Sequence, residues 1–209
     1  LFISLVGEDD FEAATKMKEL VELAEKSDSP FMILVFSVAK ANVMLAIEDF
    51  EAVISSGHKA LKAIEGKSIR SGHVINVQYD MARAELELAD LVSAKEHYDE
   101  GRELVELSPN WWKPRFDFLQ VLLLMAETSP DFIQAEESFK KSIQVDEDVG
   151  AVVPAAQTHL YLARVLAHKG EFERSRPILT ELRSKFQSWG IPVWQQKCDQ
   201  ELETLASLG

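Results

Sequence analysis

The sequence predicts an all-α chain built as an α-solenoid, a row of antiparallel helix pairs stacked one on the next. A short phrase, an acidic residue followed by a large apolar one, returns five times. It stands at Asp10-Phe11, Asp49-Phe50, Asp90-Leu91, Asp131-Phe132 and Glu171-Phe172. The apolar members are 39, 41, 41 and 40 residues apart, and a fixed period in that range marks stacked repeats rather than one closed globule. No stretch shows sustained apolar–polar alternation, and no Asn-Gly or Asp-Gly pair offers a hairpin turn between strands.

Each phrase reads as a helix start. The acidic residue complements the free N–H groups and the dipole of the first turn. The apolar member is expected to be buried between helices, so that Phe50, Phe132 and Phe172 act as anchors. Three positions further on, Ala14, Val53, Ala94, Ala135 and Ser175 keep the helix slim where its neighbour approaches.

In chain order, Leu1 to Val6 resembles the last turns of an interrupted helix, and the acidic run from Glu8 opens a helix to about Lys26. The chain is therefore expected to be a single repeat domain, residues 1–209, excerpted from a longer protein, with its first repeat truncated. An uncovered repeat end exposes core-facing residues, so self-association through Phe2 and Leu5 is expected. Ser27-Asp28-Ser29-Pro30 is a turn. The helix from Phe31 to about Ala46 is apolar nearly all round, as befits a buried helix, and its partner runs from Asp49 to about Ile64. Further pairs follow at about 74–88 with 91–107, 111–127 with 131–145, and 153–169 with 172–189, the last hinged at Gly170. Asp146-Glu147-Asp148 reads as a solvated loop. After Gly190-Ile191-Pro192 a last helix aligns Trp194, Cys198, Leu202 and Leu205 on one face, which suits a C-terminal capping helix.

The 209 residues are 46% hydrophobic and 27% charged, with 9 Gly and 7 Pro, which leaves little room for flexible linkers. The net charge is −13. Residues 1–107 hold 11 basic and 21 acidic residues, a balance of −10, and residues 108–209 hold 11 and 14, a balance of −3. Such a surface repels phosphate backbones, so direct binding of nucleic acid is not expected. The apolar run from Phe31 to Ala39 is too short for a membrane span. One cysteine, Cys198, allows no internal disulfide and fits a reducing, cytoplasmic setting.

Nothing in the sequence announces chemistry. His58, His73, His97, His159 and His168 lack metal-ligand spacing; the carboxylates around His97 read as a solvated helix face; and no Ser or Cys sits in a nucleophile elbow. No catalytic residue, metal or cofactor is expected. The adjacent Trp111 and Trp112 read chiefly as packing; since neighbouring helical residues cannot share a face, an exposed aromatic contact for a partner is the alternative.

The order of small and large residues within each pair carries a resemblance. Examples are Met81-Ala82, Leu91, Ala94, Tyr98 and Gly101, and later Leu162-Ala163, Leu166, Gly170, Phe172, Ser175, Leu179 and Leu182. This resembles the tetratricopeptide repeat (TPR) across nearly the whole chain, in about five repeats. The period near 40 exceeds the usual value of about 34 and is shared by HEAT and armadillo repeats. The stretch from Thr158, with Lys169-Gly170-Glu171-Phe172, Arg176-Pro177-Ile178-Leu179 and Trp189-Gly190-Ile191-Pro192-Val193-Trp194, resembles the final helical repeats of large bacterial signalling proteins. These are LuxR-type, maltose-regulator-like ATP-binding transcription regulators, class III adenylate/guanylate cyclases, and kinases with helical tails.

The resemblance implies a non-catalytic interaction scaffold or sensor arm whose protein or peptide partner docks in a concave groove. The groove would be lined by the first helix of each pair, at Asn42, Asn76, Tyr79, Arg83, Asp117, Gln120, Gln157, Tyr161 and Arg164. It does not resemble the carboxylate clamp, because Val38 and Asp80 stand where cations or amides are required. The alternative is a small-ligand or peptide sensor that changes superhelical pitch on binding.

Overall fold

The computed structural model describes residues 19–20, 22–23, 26, 29–46, 48–67, 69, 72–107, 112–126, 131–148, 150 and 152–208. Among these, all regular structure is helical: α1 (Pro30–Ala46), α2 (Phe50–Ile64), α3 (Gly72–Glu87), α4 (Leu91–Glu106), α5 (Lys113–Met125), α6 (Phe132–Asp148), α7 (Val152–His168), α8 (Phe172–Ser188) and α9 (Pro192–Leu208). The truncated first repeat and the sticky edge at residues 1–6 lie outside the described residues.

The acidic residue of each phrase does what its position predicts. Asp49 accepts a hydrogen bond from the Ala52 N–H at 3.1 Å, Asp90 from Ser93 at 3.2 Å and Asp131 from Gln134 at 3.0 Å. Each satisfies a first-turn donor that the helix itself leaves open. Glu171 makes no such cap and instead pairs with Lys169 and Arg174.

Three of the hairpin turns share one construction. At the end of α7 the Gly170 N–H reaches the Ala167 carbonyl at 2.9 Å and the Glu171 N–H reaches Leu166 at 2.8 Å. This is the double bond of a Schellman turn, with Gly170 at φ +78°. The ends of α1 and α3 use the same pattern with Glu48 (φ 61°) and Ala89 (φ 60°) in the left-handed position. A side chain is strained there, and the packing of the flanking helices holds it.

The chain divides into two compact units, residues 1–119 and 120–209, and the boundary falls inside α5 with no linker. In the first unit α1 packs on α2, α3 on both, and α4 on α3; in the second α6 packs on α7, α7 on α8, and α9 on α8 and α7. The second helix of each pair buries the same register: Val53, Gly57 and Ala60 in α2; Ala94, Tyr98 and Gly101 in α4; Ala135, Phe139 and Ser142 in α6; Ser175, Leu179 and Leu182 in α8. The Ser175 hydroxyl, fully enclosed, donates to the Ala163 carbonyl at 2.8 Å and so meets no polar penalty.

Burial corrects one expectation. Phe50, Phe132 and Phe172 are only half-buried, and Leu91 is 38% exposed. The enclosed member of the phrase is the small residue three positions later, because a 300° advance along the helix turns it onto the contact line. The run Asp146–Asp148 is not a loop but the last turn of α6, where Gln144 donates to Asp148 at 2.9 Å. The last helix is amphipathic as expected, with Trp194, Cys198 and Leu205 buried.

Candidate functional site

The nine groove residues fall on the first helices of the pairs, and each unit holds its own group. In the first unit Asn76, Tyr79 and Arg83 share one face of α3, at i, i+3 and i+7. Asn76 and Arg83 are half-buried, whereas the Tyr79 ring is buried 5.9 Å from Phe116. On α5, Asp117 accepts from Arg102 of α4 at 2.8 Å. On α1, Asn42 is exposed and donates to its own helix at Val38, 2.9 Å.

In the second unit Gln157, Tyr161 and Arg164 share one face of α7. Tyr161 is buried between Phe139 and Trp194, at 6.2 and 6.5 Å between ring centroids. The Arg164 guanidinium stands 5.2 Å over the Tyr161 ring while its Nε donates to Glu201 of α9 at 2.6 Å. Gln157 is half-buried and Gln120 exposed. Tyr79 and Tyr161 thus position the face from within, and the amides and arginines form its outer layer.

Several polar groups were not visible as partners in the sequence. Trp112 is buried under Arg115, whose guanidinium lies 5.4 Å from its ring and 5.9 Å from Tyr79; Trp111 lies outside the described residues. Asp80, next to Tyr79 on α3, is 5% exposed and its Oδ2 has no hydrogen-bond partner. Burial pushes its carboxyl up from 3.8 to about 7, against the pull of Arg115 and then Arg83. His97 is not on a solvated face: its Nδ1 meets the buried Glu85 of α3 at 2.8 Å, which raises its pKa, and its ring packs edge-on to His58 at 5.8 Å.

In the second unit Glu136 of α6 is nearly enclosed by Lys140, Lys169 and Arg174, which hold its carboxyl down at about 2. Cations from α6, from the turn after α7 and from α8 thus converge on one carboxylate. Cys198 is fully buried and its thiol is pushed up to about 12 by burial and the nearby Asp199 and Glu201, so it packs as a small hydrophobe. Among the described residues no group of three His, Cys, Asp or Glu is placed to hold a metal ion, and no helix is long and apolar enough to cross a membrane.

Compared with known proteins, the chain matches no family model, and no curated protein matches it significantly.

Proposed function

We propose that this chain is a TPR-like α-solenoid that works as a non-catalytic interaction scaffold, binding a protein or peptide partner through the faces of its first helices. In this reading it is the cytoplasmic sensor or adaptor arm of a multidomain signalling or transcription regulator. The observation that carries the reading is a face that occurs once in each unit. Asn76, Tyr79 and Arg83 on α3, and Gln157, Tyr161 and Arg164 on α7, each set an amide and an arginine on the helix face that carries a buried tyrosine. The ring of each tyrosine carries a guanidinium, Arg115 in one case and Arg164 in the other. A guanidinium held over a ring is suited to the backbone carbonyls and carboxylates of a peptide, because its donors are already oriented.

Selection of peptides from a random display library on the intact chain tests this. Selected peptides should lose at least tenfold in affinity on Asn76→Ala, Arg83→Ala or Gln157→Ala. They should be unchanged on Thr180→Ala, which alters the exposed face of α8. If no peptide is selected while a metabolite screen shifts the tryptophan emission, sensing of a small ligand replaces the reading.

A further inference from the structure

Arg102, Arg164, Arg174 and Arg183 each hold a carboxylate. Arg115 holds none among the described residues, although acidic side chains outnumber basic ones by 35 to 22. It is exposed, yet two rings fix it, Trp112 and Tyr79. Trp112 is itself locked against Gly72, where an added Cβ would come within 3.3 Å of the indole nitrogen. Arg115 also lies in the first turn of α5, where unpaired N–H groups favour negative charge.

We propose that the Arg115 guanidinium, held over Tyr79 and Trp112, receives a side-chain carboxylate from an acidic segment of the peptide partner. The inference rests on the peptide-binding reading and names the chemistry of the partner. The occupant is acidic because the exposed Arg115 holds no carboxylate among the described residues, while Asp117 two positions on is taken by Arg102. The rest of a chain of net charge −13 repels an acidic ligand, so binding is confined to this patch.

The probe is N-acetyl tetraglutamate amide, fully ionised at the pH used, with the tetraglutamine and tetralysine peptides as controls. The readout is the ¹⁵Nε signal of the arginines in the intact chain. The tetraglutamate should shift the Arg115 signal at pH 6 and the controls should not. Arg115→Gln, a change at an exposed side chain, should abolish binding with an unaltered circular dichroism spectrum. Undiminished binding to Arg115→Gln or an unshifted Arg115 signal overturns the proposal. If library-selected peptides bind through Asn76 and Gln157 but ignore Arg115→Gln, this inference falls and the peptide-binding reading stands. If none is selected and tetraglutamate still binds Arg115, the peptide-binding reading falls, and with it the assignment of the carboxylate to a peptide partner.

Discussion

Phe116→Ala should cost the first unit about 3–5 kcal/mol, the range for emptying a fully enclosed phenylalanine site. The ring has no exposed surface and touches Tyr79 and Tyr98, each at 5.9 Å between centroids. It also occupies the space that Gly101 of α4 leaves: a Cβ built there would stand 2.4 Å from the Phe116 Cζ and 3.0 Å from the Gln78 Cβ. A glycine inside a helix is ordinarily about 0.5–1 kcal/mol worse than alanine. Gly101→Ala should nevertheless lose about 1–2 kcal/mol, because overpacking against a ring that cannot move outweighs the gain in propensity. In the Phe116→Ala background the same change should become neutral or stabilising, a coupling of opposite sign that a double-mutant cycle reads directly. Urea unfolding followed by circular dichroism measures these differences. A Gly101→Ala protein more stable than the parent would show that the ring is free to retreat.

Asp80→Asn should stabilise the protein at pH 8, by less at pH 5, and leave it nearly unchanged only below the unfolded carboxyl's value of 3.8. The unfolded carboxyl loses its proton near 3.8 and the folded one near 7, because burial outweighs Arg115 and Arg83. Between those values the folded state holds the extra proton, so stability falls as pH rises through the window, and the cost is complete above it. Three pK units correspond to on the order of 4 kcal/mol, and asparagine keeps the shape without the charge. His97 changes in the same direction, since its raised pKa means that its pairing with Glu85 weakens as pH rises. The difference between parent and variant is therefore the readout. Equal stability at pH 8 would mean that water reaches Asp80.

Much of this architecture is legible in the residues. The acidic starts at Asp49, Asp90 and Asp131 are caps, the small residues after them are enclosed, and Gly170 closes its turn as a left-handed glycine. Each of these is decided within one turn of helix. What was less legible depends on the azimuth of a helix against its neighbour, which spacing alone leaves open. That is why Phe50, Phe132 and Phe172 read as buried anchors and stand half-exposed. It is also why His97 reads as solvated although Glu85, on the other arm of the hairpin about the turn at 88–90, reaches it. Placement about that turn was the available signal. The candidate face is legible as a pattern on α3 and α7, but not the depth of Tyr79 and Tyr161 within it, nor the seat of Arg115 on Trp112. Those depend on contacts between helices distant in sequence.

The claim beneath the rest is that the second helix of each pair seats through its small residue and not through the large one that precedes it. In α4 the two are Ala94, with no exposed surface, and Leu91, 38% exposed. Urea unfolding of Ala94→Leu beside Leu91→Ala measures it. Ala94→Leu should lose about 1–3 kcal/mol by overpacking the seam, and Leu91→Ala less than about 1 kcal/mol, as for a side chain near the surface. The reverse order, with Leu91→Ala costly and Ala94→Leu tolerated, would contradict it.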